Sequence, residues 1–155
     1  MKINAPSLYN AFCDKRTLFD QTLKRYLQKK AIYLPEALNE PTTARRVAER
    51  LSQGAIDLAM NPKHPDGCLL VQGALATGPP NVSIRKALST RRAGALALLQ
   101  HRLKMAIDSG ELPTDTDSAI LAQYLLTVVW GMSVQATGGA SRRQLVAIAV
   151  TAMRC

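Results

Sequence analysis

Aromatic residues are scarce: Phe, Trp and Tyr together make up 5% of the 155 residues. With Ala and Leu abundant, that scarcity favours helix over sheet. No segment alternates polar and apolar residues with a period of two, and no internal repeat is visible. Cys13, Cys68 and Cys155 form no CxxC pair, and His64 and His101 stand at no metal-ligand spacing from them. Reduced thiols and no metal are therefore expected. A glycine-rich phosphate loop, a nucleophile–base–acid set and paired carboxylates in an apolar stretch are all missing, which argues against an enzyme. Glu-x-x-His pairs, needed by a di-metal four-helix bundle, do not occur. The N-terminus lacks a signal-peptide core, and no uncharged apolar run reads as long enough to cross a bilayer. The expectation is a soluble, cytoplasmic protein with no cofactor and no membrane partner.

What is present points to a packed domain with an anionic partner. Hydrophobic residues make up 47% of the chain, enough for a substantial core, and the formal charge is +9. The charge is uneven. Residues 1–30 hold seven basic and two acidic side chains; residues 85–104 hold six basic and none acidic; residues 108–117 hold four acids and no base. A balance of this sign permits a nucleic-acid partner, although charge blocks also serve as solvated helix faces.

The periodicity predicts helices throughout. A short one runs from about Ala5 to Phe12, with Asn4 as cap and Pro6 in its first turn. After a break at Cys13–Asp14, Asp14 caps a second helix to about Ile32, with Leu18, Phe19, Thr22, Leu23, Tyr26 and Leu27 as its stripe. Leu34 to Pro41, with two prolines, reads as a linker. A helix from Thr43 to Met60 turns Val47, Leu51, Ile56 and Leu58 inward. A short apolar helix starts near Cys68. The longest runs from Asn81 to Ser109 and is closed by Gly110. A helix apolar nearly all round then extends to Ala136, and Ser141 caps a final amphipathic helix to Met153.

The stretch "INAPSLYNAFCDKRTLFDQTLKRY", Ile3 to Tyr26, carries more than periodicity. It resembles the recognition helix and following helix of TetR-family transcriptional regulators. Ile3, Asn4, Ser7, Leu8, Tyr9, Phe12, Asp14, Lys15 and Leu18 fall at matching positions; Ala11 stands where His or Tyr is frequent, Asp14 replaces a Ser or Thr cap, and Lys2 replaces a Gly. Further on, "DGCLLVQGALA" and the last two helices are similar to one large branch of the same family. The resemblance implies an all-α protein: a truncated helix-turn-helix head over residues 1–33 and a ligand-binding and dimerisation bundle over 34–155. A recognition helix lies in the major groove with its N-terminal residues on base edges. By resemblance, Asn4, Ala5, Ser7 and Asn10 face operator double-stranded DNA, while Tyr9 and Lys15 hold phosphates. Leu8 and Phe12 are core. A complete head of this kind carries about two helices more, so Leu8 and Phe12 lack partners, each forfeiting about 1.5–3 kcal/mol. Residues 1–12 are thus expected to be frayed or packed in a non-native way, by an artificially short chain or a misplaced start codon. The rival expectation is a headless dimeric protein that binds small molecules or partners without holding DNA tightly.

At the other end, the resemblance implies an unidentified small-molecule effector inside the bundle, the usual mode being repression that the ligand relieves. The expected pocket residues are Leu69, Gln72, His101, Met105, Tyr124 and Trp130; Tyr124 and Trp130 each add a polar handle to an apolar body. Core packing competes with that role at each position. The greasy penultimate helix beside the amphipathic last one leaves more apolar surface than one small protomer can cover, so a homodimer is expected. Its candidate interface is Leu125, Val128, Val129, Met132, Leu145, Ile148 and Ala149.

Overall fold

The structure, a computed structural model, describes residues 12–40, 42–63, 66–75 and 81–154. The expectations for the short first helix, with Asn4, Ala5, Ser7, Tyr9 and Asn10, fall outside the described residues. All seven described elements are helices: α1 (Lys15–Lys29), α2 (Tyr33–Asn39), α3 (Ala44–Ala59), α4 (Leu69–Leu75), α5 (Val82–Asp108), α6 (Ser118–Thr137) and α7 (Arg142–Ala152). The chain divides into two units, Met1–Ile32 and Tyr33–Cys155.

In the first unit, Cys13 takes a left-handed conformation with φ 64° and so makes the break before α1. Asp14 follows in extended backbone, and its carboxylate accepts a 2.7 Å hydrogen bond from the Thr17 amide. That bond satisfies one of the helix's four orphan donors. Of the apolar stripe, Leu23 is fully buried, while Leu18, Phe19, Tyr26 and Leu27 are half-buried and Thr22 is exposed. The helix stops at Lys29, short of Ile32.

The second unit is built around α6, which packs against α3, α5 and α7. One continuous core joins them: Val47, Leu51 and Ile56 from α3, Leu99 and Leu103 from α5, Leu126, Val129 and Met132 from α6, and Leu145 from α7. Leu58 is buried as well, so all four residues read as inward on α3 are inside. The segment read as a linker is a correction: residues 33–39 form α2. Pro35 is the third residue of that helix, where a missing N–H is one of the unpartnered ones anyway, so it does not break the turn. A second correction concerns α6, which is long and apolar enough to span a bilayer by length and composition. Its Ala122, Leu125, Leu126, Val129, Met132 and Ala136 are instead buried in the protein core.

Caps and ties fix the ends. Gly110, with φ 76°, ends α5 in the left-handed conformation that only glycine adopts freely. The Glu111 amide then reaches back to the Ala106 carbonyl at 2.8 Å. Ser141 and Gln144 form a reciprocal capping box at the start of α7. The corner between α2 and α3 is held to the far end of α5 by two ties. The Arg102 guanidinium donates to the Thr42 carbonyl, and the Ala44 amide donates to the Glu111 carboxylate. Tyr33 lies flat on α3 at Gly54: a β-carbon there would sit 2.5 Å from the tyrosine ring. Burial raises the Tyr33 phenol above the usual tyrosine range, with the nearby Cys68 adding to the shift.

Candidate functional site

Of the residues expected to meet DNA, Lys15 is described. It opens α1 directly after the Asp14 cap and is exposed. A cation in the first turn opposes the helix dipole, so helix stability does not account for it. The Thr17 amide bonded to Asp14 holds that carboxyl below the usual carboxylate range. A depressed pKa contributes stability above the unfolded value and loses it as pH falls through the folded one. The start of α1 is therefore expected to fray in acid, and the Asp14 carboxyl carbon to titrate below a free-peptide Asp by NMR. Asp14→Asn, which keeps a capping oxygen, should retain the helix start and remove its acid dependence. Further along, Lys24, Arg25, Lys29 and Lys30 are all exposed. Thr22, Arg25, Tyr26, Lys29 and Lys30 line one hollow of about 480 Å³.

Among the clefts formed by the described residues, no single one gathers the six expected pocket residues. His101 and Met105 line a cleft of about 690 Å³ beside Pro35, Leu38 and Leu98 on one flank of the α2–α3 corner. Tyr124 lines another, of about 650 Å³, at the end of the α3–α5–α6–α7 core. Gln72 instead donates a 3.0 Å hydrogen bond to the Thr137 hydroxyl, and Trp130 packs half-buried against the core. Leu69 is half-buried on α4 and lines neither cleft. The second cleft is mostly apolar: Ala48, Leu103, Leu112, Ile120, Leu121 and Met153 contribute, with Arg45 and Asp117 charged among its lining residues. Asp117 is already engaged as the cap of α6, accepting from the Ala119 and Ile120 amides at 2.8 and 3.1 Å. Arg45 pairs with Glu49 at 3.2 Å. No group of three or more metal-capable side chains occurs among the described residues.

The expected interface set divides in two. Leu125, Val129, Met132, Leu145 and Ala149 are buried within the protomer, leaving little area for a partner to cover. Val128 packs half-buried against the same core, and Ile148 alone is exposed, at 39%. What α6 turns outward is a different stripe: Ile120, Gln123, Tyr124, Thr127, Gly131 and Val134. Ile120 and Val134 are 61% and 41% exposed. The steps of three and four residues from Ile120 are those of a single helix face. On a helix apolar all round, the smaller and more polar side was the signal that could have separated this face from the core.

Residues 44–151 match the family described as tetracyclin repressor-like, C-terminal domain. The chain is 31% identical over 153 residues to the HTH-type transcriptional repressor ComR of Escherichia coli (strain K12), covering 97% of this chain and 72% of that one. It is 28% identical over 120 residues to the HTH-type transcriptional regulator YezE of Bacillus subtilis (strain 168), covering 77% and 62%. Among solved structures, a cysteine mutant of the TetR family regulator CifR, complexed with 26-bp double-strand operator DNA, superposes with a TM-score of 0.90 at 35% identity; 99% of this chain and 81% of that one are covered. The chain belongs to the TetR family, whose members are transcriptional regulators and not enzymes.

Proposed function

We propose that the protein is a cytoplasmic repressor that binds operator double-stranded DNA as a homodimer and changes its affinity when a small molecule binds its helical bundle. The observation that carries the DNA reading is the likeness to CifR, whose operator-bound structure aligns with 99% of this chain. The repressor role follows ComR, which bears that name. In this reading Asn4, Ala5, Ser7 and Asn10 meet base edges, and Tyr9 and Lys15 hold phosphates. Two copies join through the outward stripe of α6 and Ile148 of α7. The effector enters the apolar cleft of about 650 Å³ that includes Tyr124, a size in the range of small-molecule sites. Because Asp117 and Arg45 already have partners, a largely uncharged ligand suits it better than an ion.

The test is a binding titration of the full chain on duplexes from the promoter region beside its gene, at several salt concentrations. Salt-sensitive, sequence-selective binding is expected. Lys15→Gln should weaken binding to every duplex by a similar factor and lower the salt slope by about one, as loss of one phosphate contact does. Absence of salt-sensitive binding both by this chain and by one extended upstream of Met1 would end the repressor reading and favour an effector-binding dimer without a DNA role.

A further inference from the structure

We propose that the hollow on α1 formed by Thr22, Arg25, Tyr26, Lys29 and Lys30 is a second phosphate-binding surface, gripping the nucleic-acid backbone at a place Lys15 does not reach. The inference rests on the reading of the chain as a DNA-binding protein, and adds a contact to it.

The argument begins with pairing. Three helix cations have an acid one turn on, Arg16 with Asp20, Arg45 with Glu49 and Lys104 with Asp108, whereas Arg85, Lys86 and Arg91 on α5 have none within a turn in the sequence. On the last turns of α1 that device is absent. Arg25 is followed four residues later by Lys29, a like-charge pair that weakens the helix it sits on. No acid stands between Asp20 and Glu36 in the sequence, and Asp20 is taken by Arg16. The helix dipole accounts for Lys29, in the last turn, and for the cap residue Lys30. It does not account for Arg25, a turn earlier, nor for the grouping of three cations about a single hollow.

The lining has the chemistry of a phosphate site. Arg25 offers a planar fork of donors, Lys29 and Lys30 offer compact charge, and the hydroxyl-bearing Thr22 and Tyr26 complete the hollow. Thr22, Arg25 and Lys29 share the side of the helix that Lys15 occupies at its start. Along the axis, Arg25 and Lys29 lie about 15 and 21 Å beyond Lys15, at 1.5 Å per residue. That separation exceeds the screening length of about 8–10 Å in physiological salt, so the charge of the hollow acts independently of that of Lys15. Lys24 provides a contrast: equally exposed and equally charged, it stands about half a turn away from Lys15 and is not part of the lining.

The experiment compares five versions of the full chain on a promoter duplex and on a duplex of arbitrary sequence: unmodified, Lys15→Gln, Lys24→Gln, Arg25→Lys, and the triple Arg25→Gln/Lys29→Gln/Lys30→Gln. The readout is the slope of log affinity against log salt, which changes by about 0.9 for each phosphate contact. The triple variant is expected to bind both duplexes more weakly by a similar factor, with a slope shallower by about two to three. Lys24→Gln should leave the slope nearly unchanged, and Arg25→Lys should retain most of it. A triple variant with the unmodified slope, alongside a shallower one for Lys15→Gln, overturns this inference and leaves the DNA reading standing. So does a slope change in Lys24→Gln of a third or more of that in the triple variant, because the effect is then a diffuse field. If neither this chain nor one extended upstream of Met1 binds either duplex, both readings fall. All substituted residues are exposed, and an unchanged melting temperature confirms that binding, not folding, is being measured.

Discussion

Alanine at Gly54 is expected to destabilise the second unit by a net amount of up to about 2 kcal/mol, although alanine is the better helix former. Propensity alone favours the substitution by about 1 kcal/mol. Against it stands the packing of α2 on α3. The new methyl would sit 2.5 Å from two ring carbons of Tyr33 and 2.6 Å from its Cβ. A clash at the tip of a side chain is relieved by a rotamer change, but the Tyr33 Cβ moves only with its own backbone. The whole of α2 must therefore shift. Overpacking of this kind costs about 1–3 kcal/mol or more, which outweighs propensity. Thermal unfolding of Gly54→Ala checks the sign. Tyr33→Ala introduced with it should cost less than it does alone, since the two changes remove and create one contact. A Gly54→Ala protein more stable than the original would show that the approach is looser than described.

The second large effect concerns assembly. Ile120→Glu combined with Val134→Glu is expected to turn the proposed dimer into a folded monomer and to lower operator affinity by about a hundredfold or more, since two linked heads gain roughly that factor from acting together. Both positions are largely open to solvent in the protomer, at 61% and 41% exposure, so the charges meet water when the partner is lost. Sedimentation and circular dichroism report the two halves of the claim, mass falling by half and helix content remaining. Leu125→Glu is the contrast. That side chain is 6% exposed, and a carboxylate buried there without a partner should unfold the protein instead of separating it. A double variant that remains dimeric would move the interface away from this face.

Much of the fold was legible because its signals are local. Asp14 and Ser141 as caps, Gly110 as a helix stop and the inward phase of α3 all depend on a few neighbouring residues, and each stands as the sequence implied. The error at residues 33–39 came from counting prolines without counting position, since Pro35 falls in a first turn where it is harmless. The division of α6 was harder. Periodicity identifies apolar faces, but Leu125, Val129 and Met132 would look alike in the sequence whether covered by their own chain or by another. The expected pocket set was no easier to read: Leu69, Gln72, His101, Met105, Tyr124 and Trp130 come from three helices whose lateral order no local pattern encodes. Lys15, proposed to meet DNA, was read through a motif; the hollow ending at Lys30 matches none and is marked in the sequence only by cations without nearby acids.

The ties at the α2–α3 corner bear on how this protein can vary. Arg102 and Glu111 hold residues 42 and 44 through main-chain atoms alone, a carbonyl and an amide. Substitution at either end of the bond therefore has unequal weight. Thr42 and Ala44 can change identity without erasing the donor or the acceptor, while a single replacement at Arg102 or Glu111 removes one fastening. Relatives that diverge freely across the corner while keeping those two anchors would be the evolutionary imprint of that asymmetry.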